Sequence, residues 1–295
     1  MTDLAVGRRG ARLPLTGHSG AELTLVETDG QSYVRKQARS PSQNARLAAQ
    51  CEKLQRAHAA GISCPLVFRS GDADALFWFD MEYVPADSIA HALIVSREPD
   101  WRSLLPQIEG FSAMFRQRST GLIPADQFRG KLESIAAACL ASTDTAPVQG
   151  RISQLVTRLQ ACDWDGVPES DCHGDFTLEN ILLRADGRVV LIDFDVPQQS
   201  SWWLDIAKLF QDLIGHWCLR HLVLSDREGI EALNARLAMS RAAAQVEAII
   251  SPMIAGGIAR LRPLIAFHLM RTLPYAHDPL VVEYVLQRID AVLDD

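Results

Sequence analysis

From 22 to 37 the chain reads ELTLVETDGQSYVRKQ, with apolar and polar positions alternating on either side of Asp29-Gly30. A period of two broken by Asp-Gly predicts a β-hairpin with a tight turn. The period then changes. In SPSQNARLAAQCEKLQRAHAAG, Leu47, Cys51, Leu54 and His58 recur at helical spacing, Ser40 and Pro41 stand where a cap and first turn belong, and Gly61 ends the run. One amphipathic helix is expected there. ALFWFDMEYVP, rich in aromatics and closed by Pro85, predicts a further strand.

Past residue 85 the alternation nearly vanishes, and 98–116, 128–141, 148–162, 202–222, 227–250, 256–271 and 278–293 read as helices. The change of pattern predicts an α+β chain with a small β-rich lobe over 1–84 and a larger, mainly helical lobe over 85–295. No repeat of solenoid period appears. One stretch interrupts the helices: DCHGDFTLENILLRADGRVVLIDFD, residues 171–195.

Within it Asp186-Gly187 separates two apolar runs, 181–184 and 188–192, and predicts a second hairpin. A two-residue loop without a bulge sets Ala185 against Arg188, Ile181 against Ile192 and Asn180 against Asp193, with Cβ atoms roughly 4.5–5.5 Å apart. An amide oxygen and a carboxylate at that distance can share one hard cation. Mg²⁺ takes one or two carboxylates together with phosphates and water, so Asn180 with Asp193 makes a sensible half-site. Asp175, five residues before Asn180 in the entering loop, is placed to orient or deprotonate an attacking hydroxyl.

HGDFTLEN followed by LIDFD resembles the catalytic loop and metal motif of the aminoglycoside phosphotransferase and choline kinase group, relatives of the protein kinases. The resemblance implies a bilobal protein-kinase-like fold, with Asp175 as catalytic base, Asn180 and Asp193 as Mg²⁺ ligands and His173 as a packing residue supporting the loop. Asp195 stands where protein kinases have the Gly of DFG; it either touches a second Mg²⁺ or caps the following turn. Asp205 in SWWLDIAKL matches a buried Asp that braces the catalytic loop through backbone N–H groups, against the plainer reading of a first-turn acid favoured by the helix dipole.

The resemblance also assigns the β-rich lobe to ATP or GTP. LTGHSGAELTLV offers a strand, a turn with Gly17, Ser19 and Gly20, and a second strand; N–H groups in such a turn can meet phosphate oxygens. The turn lacks the protein-kinase GxGxxG and is a weak signal on its own. Lys36 in YVRK matches the third-strand Lys that binds the α- and β-phosphates, with Arg35 as its rival on the opposite face. Glu52, the single acid between 40 and 71, is then the expected partner of Lys36. FDMEYVP resembles the hinge, with Glu82, Tyr83 and Val84 expected at the adenine edge and Met81 lining the pocket.

Composition narrows the picture further. Apolar residues are 48% of the 295 and charged residues 22%, values of a globular chain. A formal net charge of −7 argues against a polyanionic partner, so no nucleic acid is expected. The six cysteines form no CxxC pair, and neither zinc nor disulfides are indicated. MTDLAVGRRGARL lacks the apolar core of a signal peptide and no run is long enough to span a membrane, so a cytoplasmic protein is expected. VVLIDFD alone would also suit a haloacid-dehalogenase phosphatase or, through its DxD, a nucleotide-sugar glycosyltransferase. Neither explains HGDFTLEN or the first lobe. A catalytically inactive kinase-like module is the non-enzyme alternative. The resemblance implies a small-molecule hydroxyl acceptor of the aminoglycoside, choline-like or sugar class, and the sequence chooses neither among these nor an oligomeric state.

Overall fold

The computed structural model describes residues 11–15, 20–28, 30–95, 99–142, 144–220, 222 and 229–294. They divide into two compact units, one taking in the chain up to Ala86 with Val189–Val196, the other Asp87–Arg188 with Pro197 onward. The boundary expected at 84/85 thus lies two residues later. A single cut also misses the eight residues after Arg188 that return to the first unit.

The first unit is an antiparallel sheet with one helix. Strands β1 (Ala11–Leu15), β2 (Glu22–Thr28), β3 (Gln31–Gln37), β4 (Val67–Ala73) and β5 (Leu76–Glu82) run in the order β1-β2-β3-β5-β4. Thr28 pairs with Gln31, so the turn at 29–30 has two residues, and Gly30 carries the positive φ (80°) that such a turn requires. β4 was not foreseen. It is an edge strand exposed at most positions, and VFRSGDA has no apolar alternation to betray it. Its turn into β5 uses Asp74 and Ala75, both at positive φ (51° and 63°).

Helix α1 (Asn44–Ala59) buries Leu47, Gln50, Cys51, Leu54 and Ala57. It starts later than the Ser40-Pro41 signal implied: Pro41–Gln43 form one 3-10 turn, and the Ser40 side chain caps nothing but meets the Ser42 hydroxyl at 2.8 Å. Gly61, at φ 84°, ends the helix as expected, its N–H donating to the His58 carbonyl. Strand β10 (Val189–Leu191) is wholly buried and donates from Leu191 N–H to the Ser63 carbonyl of the same unit.

The second unit holds helices α2 (Ile89–Ile94), α3 (Trp101–Arg116), α4 (Ala125–Ala141), α5 (Gln149–Gln160), α6 (Trp202–Leu213), α7 (Ile230–Ile250), α8 (Arg262–Met270) and α9 (Pro279–Asp294). Short strand pairs β6 (Asp87–Ser88) with β9 (Ile181–Leu183) and β7 (Gly121–Leu122) with β8 (Pro168–Glu169) complete it. In its core Phe128 stacks on Trp164, and Phe267 meets both edge-on. The helix expected over 202–222 stops at Leu213, because Gly215 and left-handed His216 (φ 54°) break it before a 3-10 turn at Trp217–Leu219. A Cβ at Gly215 would lie 2.3 Å from the Gln211 carbonyl oxygen, so only glycine fits there. Among the described residues no single helix is long and apolar enough to cross a membrane.

Candidate active site

Alternation along β3 sends Lys36 to the face of Val34 and Arg35 to the other. Arg35 lies opposite Asp80 on β5, donating to both its carboxylate oxygens at 2.7 and 2.9 Å, and stacks on Trp78 at 4.1 Å. Arg69 donates to the same carboxylate at 2.7 Å. The hydrogen bond to Asp80 raises the Arg35 pKa further. Arg35 therefore belongs to a structural cluster.

Lys36 is buried, 3% exposed, and its Nζ lies 2.5 Å from Asp193 Oδ1. Asp193 sits two residues beyond β10 at φ 58°, a left-handed conformation uncommon for a residue with a Cβ. Lys36 thus pairs with the candidate metal ligand. The expected partner, Glu52, is instead 71% exposed at its side chain and faces Arg56 at 3.8 Å. Elimination found the only acid on α1 but ignored its face: Gln50 and Cys51 point inward, and Glu52 is a 100° step beyond Cys51.

Asp195 has partners that neither reading offered for it had named. Arg46 donates to its two oxygens at 2.9 Å, Gln50 donates at 2.8 Å, and the Lys53 ammonium donates to its carbonyl. Residues 46, 50 and 53 share one face of α1. Burial works to raise the Asp195 pKa, but the bonds from Arg46 and Gln50 outweigh it and the net shift is downward. Its carboxylate is tied to α1 and also accepts a backbone hydrogen bond from Val196 at the start of the following turn.

The Gly/Ser turn is only partly visible: Gly17 and Ser19 lie outside the described residues, and Gly20 is left-handed at φ 74° and exposed. In the hinge stretch, Glu82 N–H donates to the Leu66 carbonyl at 2.8 Å, and the Val84 carbonyl accepts from Ala86 N–H at 2.9 Å. Tyr83 stands between them, and Val84 is buried.

In the second unit, the loop 173–180 carries the chemistry. Asp175 Oδ2 accepts from the Asn180 amide at 2.9 Å, and that amide also donates to the Asp175 carbonyl at 2.9 Å. Asp175 Oδ1 lies 3.1 Å from Lys208 Nζ. His173, fully buried, accepts the Asp175 N–H on Nδ1 at 3.2 Å and packs against Phe176. The Asp205 carboxylate accepts the N–H groups of His173 at 2.5 Å and Gly174 at 2.8 Å. Asn180 closes a 3-10 turn, Leu178–Asn180, just before β9. Two loop contacts had escaped the sequence reading, Lys208 and Asp212. The Asp212 carboxylate accepts Leu178 N–H at 2.8 Å and Cys218 N–H at 3.0 Å. Burial first, then the charge of Glu179, pushes its pKa up to about 7.

The hairpin argument for Asn180 needs correction. Arg184 N–H donates to Arg188 carbonyl at 2.9 Å and Gly187 N–H to Arg184 carbonyl at 2.9 Å, so the loop has three residues, with Gly187 left-handed at φ 81°. This bulged turn moves the register by one and removes the ladder as the reason for setting Asn180 against Asp193. Asn180 belongs to the second unit and Asp193 to the first. Their donor types still suit Mg²⁺: its small protein share, one or two carboxylates plus an oxygen, needs no dense cage. No group of three or more His, Cys, Asp or Glu gathers among the described residues.

A pocket of about 400 Å³ opens beside α4, lined by Gln127, Gly130, Lys131, Ser134, Gln198 and Gln199. Gln199 adjoins Ser200, whose hydroxyl meets Cys172 Sγ at 2.9 Å just ahead of the loop.

A sequence model of the phosphotransferase enzyme family matches residues 14–240. No curated protein sequence matches the chain. Among solved structures, a thermostable mutant of aminoglycoside phosphotransferase APH(4)-Ia is similar over 96% of this chain and 94% of its own, at 15% identity and a TM-score of 0.63. Aminoglycoside phosphotransferase APH(3'')-Id from Streptomyces rimosus matches 88% of this chain and 92% of its own, at 20% identity and 0.59. A fructosamine-3-kinase assigned in Haemophilus somnus matches 95% and 91%, at 14% and 0.55. The APH(4)-Ia enzyme has also been captured in ternary complexes with hygromycin B and either ADP or AMP-PNP. These likenesses establish the bilobal fold of the kinase-like phosphotransferases.

Proposed function

We propose, from the premise that this chain belongs to the phosphotransferase enzyme family, that it moves the γ-phosphoryl group of ATP or GTP to a hydroxyl of a small molecule. The observation that carries the reading is the Asp175 carboxylate, held on one oxygen by Asn180 and on the other by Lys208. An oriented carboxylate in a braced loop is what in-line transfer asks of a protein, since positioning and electrostatics supply most of the catalysis.

In this reading Asp175 accepts the hydrogen bond of the acceptor hydroxyl, aims its oxygen at the γ-phosphorus and takes its proton as the new O–P bond forms. Lys36, released from Asp193, meets the α- and β-phosphates. Asn180 and Asp193 would each offer an oxygen donor to Mg²⁺, which would supply screening of the phosphate charges. The ADP and AMP-PNP complexes of the similar APH(4)-Ia enzyme support a nucleotide donor. The acceptor panel spans aminoglycosides, choline-like alcohols, fructosamine and sugars.

The test is a screen of hygromycin B, choline, fructosamine and simple sugars with Mg·ATP and Mg·GTP, following new phosphorus resonances, with Asp175→Ala and Asp193→Ala beside the wild type. Phosphomonoester formation that both variants lose supports the reading. Full transfer by either variant would refute its site. An inactive module would bind nucleotide and form no product.

A further inference from the structure

Helix α6 meets the catalytic loop through one face. Residues 205, 208 and 212 stand at i, i+3 and i+7, within about 60° of one another around the axis. Each touches a different part of the loop: Asp205 the N–H groups of His173 and Gly174, Asp212 the N–H of Leu178, and Lys208 the carboxylate of Asp175 between them. The two acids hold backbone. Lys208 meets a functional side chain, the Asp175 carboxylate, at 3.1 Å.

Lys208 is also the one residue of Trp202–Leu213 that is not buried, its side chain 16% exposed against 36% for Asp175. A partly exposed ion pair contributes little to stability. The backbone is already braced on both sides of it. What the contact does fix is the orientation of the carboxylate: Lys208 holds Oδ1 and Asn180 holds Oδ2, which leaves the group little freedom to turn about its last bond. A carboxylate offers about four lone-pair directions, so this hold on both oxygens is compatible with a further hydrogen bond from an acceptor.

We infer that Lys208 is a positioning residue for phosphoryl transfer, acting through Asp175 to hold its carboxylate in the orientation that receives the acceptor hydroxyl. The inference rests on the proposed function above. Lys208 supplies the charged contact on Oδ1, and Asn180 the neutral one on Oδ2. A misplacement of about 1 Å at a reacting group costs on the order of a hundredfold in rate.

The experiment compares wild type, Lys208→Met and Lys208→Arg. Turnover of Mg·ATP is measured with water as the acceptor and with each compound of the panel above, alongside KM for ATP and the thermal unfolding midpoint. Lys208→Met is expected to lower kcat about a hundredfold with KM for ATP within about threefold and an unchanged midpoint, and Lys208→Arg to recover most of the loss. Retained kcat in Lys208→Met overturns the inference. So does a loss of kcat that tracks a fallen midpoint and is not recovered by Arg. If the wild type itself turns over no nucleotide, the transfer reading fails and takes this inference with it; a turning-over wild type with an unaffected Met variant removes the inference alone.

Discussion

Replacing Asp205 with Asn tests whether the catalytic loop depends on a buried carboxylate. Asp205 is 3% exposed and accepts two backbone N–H groups, from His173 at 2.5 Å and Gly174 at 2.8 Å. A hydrogen bond to a charged acceptor contributes about 1.5–3 kcal/mol net, and a buried N–H left without a partner costs about 1–3 kcal/mol. Asn keeps one acceptor oxygen and turns an NH₂ towards the other N–H, so one bond is lost and two donors face each other. The expected loss is roughly 3 kcal/mol. At about 2 °C per kcal/mol for a chain of this size, the unfolding midpoint falls by about 6 °C. A freed loop lowers kcat about a hundredfold as Asp175 loses its place. The assays are thermal unfolding by circular dichroism, ADP release, and amide hydrogen exchange, in which the His173 and Gly174 amides lose protection first. If Asp205 acted only on the dipole of α6, the effect would be about 0.3–1 kcal/mol. A midpoint shift below about 2 °C with unaltered kcat and unaltered loop protection would refute the bracing argument.

Lys36→Met should reduce kcat/KM for ATP by about a hundredfold or more, while Glu52→Ala, on an exposed side chain, should stay within about twofold; the reverse order in steady-state assays would restore the expected Lys-Glu pair. Ala75→Gly relieves a left-handed alanine in the β4–β5 turn and should stabilise the protein by about 0.5–1 kcal/mol in urea unfolding. Asp212 and His216 should tilt stability in opposite directions with pH. The Asp212 carboxyl, raised by burial and by Glu179 from 3.8 to about 7, keeps its proton in the folded state, so its contribution is lost as pH rises from about 4 to 7, by on the order of 4 kcal/mol. His216, lowered by burial and by Arg288 and Arg236 to about 3, stays neutral when folded, so its contribution is lost as pH falls below 6.5. Asp212→Asn should therefore make stability rise more steeply between pH 4 and 6.5, and His216→Phe should make it fall across the same range. Parallel profiles for the two variants in urea titrations would show that neither environment is as described.

Local chemistry alone determined a good deal of this protein. The Asp29-Gly30 turn, the run of α1 from Leu47 to Gly61, and the apolar strands around Asp186-Gly187 are set by neighbours within a few residues, and their periods show in the chain. So does the spacing of Asp175 and Asn180, because one 3-10 turn brings them into contact. Asp205 was legible only through the resemblance of SWWLDIAKL to a bracing motif, which implied backbone N–H partners; that these are His173 and Gly174 came from the fold.

Only tertiary structure decided the partners. Lys36 meets Asp193 from 157 positions away, and Glu52 lost that place because its side of α1 faces water. Asp195 went to Arg46 and Gln50 for the same reason in reverse, since those side chains line the face of α1 that Asp195 meets. Lys208 and Asp212 gave no signal as functional residues: in DIAKLFQD they read as ordinary helix polarity, and their meaning comes from the loop packed against that face. A bulged turn at Gly187 shifted a register that a two-residue loop had seemed to settle. Periodicity specifies which residues share a face of their own element. What the opposite surface carries depends on how distant segments pack, and a side chain's charge finds its counterpart only there.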